Sequence, residues 1–420
     1  MDLKDCKRTK RACYSTYIAM SSVFSLPPLL FATFKENYGI SYTLLGTLVL
    51  INFCTQLGID LIFTFFTKHF NIHKTIRFMP LLTSLGLVVY ALVPTFFPQY
   101  AYIGLVIGTI LFSVAAGLGE VLVSPTIAAL PSDTPDKDMS LLHSLYGYGL
   151  VGVILISTLF LKVVGNEYWM YLTLFWAALP IVSSILLIRC KLPDMSIEQG
   201  SIEKNNAKHR STTMALCVVC IFLGAAAENT MTNWISVFAE NALNIPKVWG
   251  DIFGMCLFAA LLALTRSAYA RFGKNIFRVL VLSMVSAVIC YFVIGFSNVG
   301  FISLLACIML GICTSMLWPG TLILMEEKIP AVGVAAYALM AAGGDLGASV
   351  CPQMLGVVVD KVSAMPWAAL MSTRLFTTPE QIGFRVGMLF AAIFPIAGVL
   401  LLLYMKRYFK KTESDVDEWK

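Results

Sequence analysis

Charge is what this sequence has least of. Only 13% of its 420 residues are Asp, Glu, Lys or Arg, and there are four histidines. A water-soluble domain carries roughly 25% charged and about 45–50% apolar residues. Here the apolar share is 58% and the mean hydropathy +0.80, so most of the chain cannot face water. The short signatures of chemistry are missing too: no GxSxG elbow, no Walker loop, no His/Glu cluster at metal-ligand spacing. These absences argue against an enzyme, a resident metal or cofactor, and an ATP-driven pump. The eleven cysteines are scattered singly; Cys217 and Cys220 have CxxC spacing inside ALCVVCIFLG, but with no second pair they read as apolar packing residues.

What fills the chain instead is long apolar blocks. A membrane-crossing helix takes about 20 such residues, and the blocks predict spans at 12–34, 42–66, 76–96, 100–130, 139–163, 167–189, 213–239, 248–272, 277–297, 300–325, 332–360 and 383–405. The basic opening MDLKDCKRTKR precedes an apolar run that is long and lacks a clear small-x-small cleavage site, so it reads as an uncleaved first span. The one long polar interruption, Lys191 to Thr212, falls near the midpoint. The expected fold is an all-α membrane protein of twelve transmembrane helices in two pseudo-symmetric six-helix halves. Residues 1–190 form the first half, 191–212 a cytoplasmic linker, and 213–420 the second half with a cytoplasmic tail. That plan leaves no room for a soluble catalytic domain.

Charge predicts the orientation. With both termini inside, only Lys35, Lys162, Lys247, Lys361, Arg374 and Arg385 of the 30 lysines and arginines fall outside, a strong positive-inside bias. The expected location is the plasma membrane, multi-pass, with both termini cytoplasmic. The net charge of +6 then reflects topology and contact with the bilayer's anionic lipids, not nucleic acid.

The halves also resemble each other in detail. Span 1 ends Phe34-Lys35-Glu36-Asn37 and span 7 ends Phe238-Ala239-Glu240-Asn241, each followed nine residues later by a glycine, Gly46 and Gly250. Span 4 contains Gly117 to Pro125 and span 10 contains Gly311 to Pro319, with the same glycine-to-proline spacing. Such a repeat puts a substrate cavity at the interface of the halves, near the bilayer midplane.

Ionisable groups inside spans are costly and mark pathways or relays by default. They are Asp60 in span 2, Glu120 in span 4, His143 in span 5, Glu228 in span 7, Arg266 in span 8 and Asp345 in span 11. Glu120 follows the small-residue stretch Ala115 to Gly119, where another helix can approach closely. Desolvation penalises a carboxyl's charged form, which is the property a proton-coupled carrier uses; the bland alternative is a carboxyl that ties spans 4 and 5 together. His143 titrates in the range of a proton relay, or is an ordinary interfacial histidine. Tyr146, one turn on, offers a hydroxyl to a polar ligand. In span 7, Glu228 and Thr232 share one face and Asn229 and Asn233 another, beside Trp234; amides next to an indole suit a hydroxyl-rich ring. Asp60 (with Gln56 a turn earlier), Arg266 and Asp345 are candidates for gating or for structural polar contacts.

Twelve spans in two halves resemble the major facilitator superfamily. The loop Arg266-Ser-Ala-Tyr-Ala-Arg271-Phe-Gly273-Lys274 is similar to its glycine-basic loop motif, whereas Thr67 to Lys74 after span 2 departs from it. Two patterns resemble the fucose/proton-symporter-like group: Glu120 to Pro125 followed by His143-Ser144 to Gly149, and Glu228, Trp234, Phe238 followed by Arg266. The resemblance implies that Glu120 carries the proton and contacts sugar, and that His143 and Tyr146 stand where polar groups meet substrate. One departure is clear: span 1 has no acidic residue.

The expectation is therefore a secondary carrier, acting as a monomer, that couples protons to symport of a small polar, sugar-like solute by alternating access. Proton coupling is expected at Glu120, His143 and Glu228, and substrate contact at Glu120, Tyr146, Glu228, Asn229, Asn233 and Trp234. The alternative is proton-driven efflux of hydrophobic drugs or metabolites. The glycine-proline pair of span 5 typical of that group is absent, for Gly147 to Gly152 has glycines but no proline. Glu120 corresponds by the repeat to Thr314, and Glu228 to Phe24, so neither acid has a repeat-related twin.

Overall fold

The computed structural model describes residues 3–66, 70–132, 135–193, 207–329, 334–375 and 377–417. Among these residues there is no strand, and ten helices are each long and apolar enough to cross a membrane, or twelve if each of two bent pairs is one span. Span 1 is the first bent pair, Leu3–Leu29 and Phe31–Tyr38. Spans 2 to 6 are Tyr42–Phe66, Ile72–Phe96, Ala101–Ala128, Pro135–Val164 and Trp169–Ile188. Span 7 is Ala207–Val237, prolonged by the π-helical turn Phe238–Ala242. Span 8 is Leu257–Phe272, entered through the π-helical Gly250–Cys256, and span 9 is Ile276–Phe296. Span 10 is Gly300–Thr314 with Leu317–Lys328, span 11 is Val334–Ser363, bent into the short helix Pro366–Leu375, and span 12 is Pro379–Ala391 with Ile393–Asp417.

The helices outrun the expected spans where polar residues continue the helical pattern into water: span 1 begins at Leu3 and span 12 reaches Asp417. The interruptions follow from proline, which has no N–H to give the carbonyl four residues back. Pro27 and Pro28 precede the 48° bend of span 1. Pro319 leaves the carbonyl of Ser315 without its helical donor, at the break between the two parts of span 10.

The duplication is visible in packing as well as in sequence. A Cβ at Gly117 of span 4 would meet Gln56 and Ile59 of span 2 at 3.1–3.2 Å, and one at Gly311 of span 10 would meet Phe258 of span 8 at 2.5 Å. Repeat-related glycines thus face repeat-related neighbours. One end of the molecule, the terminal end, carries both termini; Lys10 there pairs with Asp138 at the start of span 5, and Lys328 lies over the Phe409 ring of span 12. The opposite, distal end holds the turns between spans 1 and 2 and between spans 7 and 8. The most extensive contact between the halves joins spans 2 and 11.

Candidate functional site

Glu120 stands on span 4 with its side chain exposed, in the space between the halves and within electrostatic reach of Asp60, Asp345, Tyr17 and Tyr146. Tyr17 shares a hydrogen bond of 2.7 Å with Ser124, one turn along from Glu120. Tyr146 lies edge-on to Phe24, ring centroids 5.7 Å apart, and also feels the charges of Glu228 and Arg266. It therefore stands between the acid of the first half and the ion pair of the second. His143 is on the same helix as Tyr146, with its side chain outside the described residues.

Arg266 has the acidic partner that its position suggested. One of its guanidinium nitrogens donates to both carboxylate oxygens of Glu228, at 2.9 and 3.1 Å, and its Nε donates to the Ser315 carbonyl at 2.8 Å. That carbonyl is the one Pro319 set free, so a proline in span 10 orients a cation on span 8 toward an acid on span 7. Glu228 is 14% exposed, and a charge so enclosed needs its counter-ion. Thr232 and Asn233 each bond back to the carbonyl four residues earlier, and so does Asn229.

Distal of Glu120 lies a narrow cleft whose free volume of about 20 Å³ holds little more than a water molecule. Phe24, Phe31 and Phe112 give it aromatic walls, and Asn52, Thr109 and Asn233 give it polar atoms. Asn233 comes from span 7 and the other five from spans 1, 2 and 4, so both halves contribute. Asn52 is held by Ser113 at 2.6 Å and Gln56 at 3.0 Å. Neither Asn52 nor Thr109 was singled out from sequence. The signal was there: Asn52, Gln56 and Asp60 recur every four residues on one face of span 2. Phe112 and Glu120 are eight residues apart on one helix, roughly 12 Å, and Phe24 stands between cleft and acid.

Trp234 does not line that cleft. It is fully buried, donates its indole N–H to the Pro352 carbonyl at 3.1 Å, and packs against Phe31, Tyr42 and Phe384. It belongs to the seal at the distal end, which sequence reasoning missed. There the Asp360 carboxylate of span 11 accepts from the backbone N–H groups of Tyr42 and Thr43, at 3.2 and 2.6 Å, capping span 2 from the other half. The Tyr42 hydroxyl bonds Glu380 and receives the Asn241 amide at 2.8 Å, with Lys35 over its ring. Lys247, expected as an outer-loop cation, turns inward. It pairs with the fully buried Asp251 at 3.5 Å and Glu240 at 3.8 Å, and donates to the Leu29 carbonyl at the span 1 bend at 2.7 Å. Asp251 also takes hydrogen bonds from Ser236 and, across the halves, from Thr158 at 3.4 Å.

A polar track between two related helical halves, closed by such a seal at one end, defines a membrane carrier. The family model described as Major Facilitator Superfamily matches residues 12–352, and the chain belongs to that superfamily: it is a membrane transporter of small molecules, not an enzyme. No curated protein sequence matches it. Among solved structures it is similar to a bacterial homologue of the human lysosomal transporter Spinster, inward-facing and unoccupied (TM-score 0.77, 11% identity, 98% of this chain and 99% of that one). It is also similar to the nucleoside transporter NupG (TM-score 0.69, 13%, 95% and 99%) and to a D-xylose–proton symporter (TM-score 0.69, 14%, 93% and 96%). At such identities the likeness speaks for the fold.

Proposed function

We propose that the protein is a proton-coupled symporter of a small polar, sugar-like solute, working as a monomer in the plasma membrane with both termini cytoplasmic. In this reading, residues 1–190 and 213–420 rock about the solute, joined by the cytoplasmic linker 191–212, and the terminal end is the inner one. The observation that carries it is the cleft at the interface of the halves. As the halves rock apart the cleft widens, so that its aromatic walls (Phe24, Phe31, Phe112) stack on a ring and Asn52, Thr109 and Asn233 bond its hydroxyls. Glu120 takes up the proton, and Tyr146 couples it to the Glu228–Arg266 pair. Asn229 supports Asn233 through its backbone, and Trp234 acts through the distal seal. His143 relays protons from the terminal end. The xylose–proton symporter among the solved likenesses is in keeping with this reading.

A thermal-shift screen of the purified protein against sugars, nucleosides, organic acids and hydrophobic cations tests it, because a ligand stabilises the state it binds. Stabilisation by a sugar-like solute, lost in Asn233→Ala, is expected. Stabilisation by hydrophobic cations alone would favour efflux instead.

A further inference from the structure

Between Asp360 and Glu380, two acids of the distal seal, the chain makes the short helix Pro366–Leu375. Span 11 stops at Ser363 because Pro366 has no N–H to give the Val362 carbonyl. The same proline, its φ already helical, opens the next helix. The two helices meet at 81°, so the second runs nearly parallel to the surface of the bilayer that span 11 crosses. Its ten residues extend about 15 Å, far too short to cross in turn.

Positions four apart on a helix form a strip, and positions one apart fall on neighbouring strips about 100° away. Ala368 and Ser372, the buried residues of this helix, form the strip against the protein, where Ala368 packs with Val362 of span 11 and Ile382 of span 12. The neighbouring strip on one side is Trp367, Met371 and Leu375, apolar and exposed throughout. On the other side are Ala369 and Thr373, also exposed. Facing away from the protein are Leu370, 67% exposed, and Arg374. A helix lying flat at the rim of a bundle needs these same sides: protein beside it, hydrocarbon under it and water over it.

Two details suit the hydrocarbon. The Trp367 indole N–H donates to the Met365 thioether at 3.0 Å, so the ring can enter an apolar medium without an unpaired donor. Arg374 has an aliphatic stem long enough to hold its guanidinium among headgroups. A protein partner fits the strip poorly. Trp367, Leu370, Met371 and Leu375 are far fewer than the roughly 20–30 residues a side that a stable protein interface takes, whereas a bilayer asks only for a continuous apolar strip.

We propose that Pro366–Leu375 is a lipid-docking surface, seated in the distal leaflet where headgroups meet acyl chains. Trp367, Leu370, Met371 and Leu375 enter the hydrocarbon, and Ala369 and Thr373 face water. Because the helix joins the segments that carry Asp360 and Glu380, its seat in the lipid fixes the level at which both acids meet the start of span 2.

The test is the collision accessibility of nitroxide labels on the full chain in single-copy lipid nanodiscs, with Cys54, Cys290 and Cys313 replaced by serine. Labels go one at a time at Ala369→Cys, Leu370→Cys, Met371→Cys and Thr373→Cys, all exposed positions outside the core. Oxygen concentrates in hydrocarbon, and a nickel chelate stays in water. The oxygen-to-nickel ratio should be several-fold higher at Leu370 and Met371 than at Ala369 and Thr373. Nickel reaching all four positions alike would put the helix in water and overturn the proposal. Exclusion of both reagents from Leu370 and Met371 would mean that protein covers the strip, and would overturn it too. The same labels in liposomes crowded with protein ask whether a second copy takes the strip: loss of oxygen access there would make that copy the occupant in place of lipid.

Discussion

The seam between spans 2 and 11 can be wedged by a single methyl group. A Cβ added at Gly356 would stand 2.3 Å from the Tyr42 carbonyl oxygen, 2.8 Å from its carbonyl carbon and 3.2 Å from the Trp234 ring. Ordinary carbon contacts lie at roughly 3.5–4.0 Å. The first two obstacles are backbone, which no rotamer change can move, so the two spans must part by roughly 1 Å. Overpacking of this kind costs about 1–3 kcal/mol. The cost falls on the sealed state alone, since opening the distal end separates Gly356 from Tyr42. Gly356→Ala should therefore shift the sealed-to-open ratio about 5- to 150-fold toward open. Spin labels at Gln99→Cys and Leu370→Cys, exposed distal positions on opposite halves, with Cys54, Cys290 and Cys313 replaced by serine, read this by pulsed electron-resonance distances in lipid nanodiscs. Gly58→Ala, on span 2 where nothing lies within 4 Å of the added Cβ, is the control and should leave the ratio unchanged. If Gly356→Ala and Gly58→Ala behave alike, the seam is not the closing contact.

Two further outcomes follow from the ion pairs. Arg266→Gln leaves Glu228 enclosed without its counter-charge, and should cost about 3 kcal/mol in thermal unfolding. The double variant with Glu228→Gln should recover most of that stability while transport stays lost; recovery of transport would make the pair structural only. At the water-exposed terminal end, burial opposes ionisation of Asp138, but hydrogen bonds from Lys10 and Ser132 outweigh it and hold the carboxyl below its usual range. A value lowered on folding adds stability above the unfolded-state value, near 4, and that stability is lost as pH falls through the native value. For a half-buried pair this is about 1 kcal/mol or less. Lys10→Ala should lower the melting temperature at neutral pH and be indistinguishable from the parent near pH 3; an equal deficit at both would refute the linkage.

The spans and the repeat were legible because lipid imposes them: each crossing must be apolar over its length, and Gly117 and Gly311 recur because both halves pack the same way. Glu228 and Arg266 were legible as misfits in an apolar setting. That Arg266 would meet an acid was legible too; that the acid is Glu228 was not, because it depends on the Ser315 carbonyl released at a helix break. The distal seal was hidden for a different reason. Tyr42, Asp360, Glu380 and Asn241 sit at helix ends, where a polar residue is unremarkable in sequence, and only docking of the two halves brings them together. Lys247 looked like a loop cation for the same reason, although Asp251 four residues on faces it across one helical turn. Trp234 was expected to contact substrate, but its indole points into the seal, a direction that helical spacing leaves open.

The central claim is that this carrier moves a solute with protons through Glu120. Uptake of the solute found in the thermal-shift screen, into proteoliposomes with an imposed inward proton gradient, tests it most directly. The account predicts accumulation that collapses when the gradient is dissipated and is absent in Glu120→Gln. Accumulation that ignores the gradient, or survives in Glu120→Gln, would contradict it.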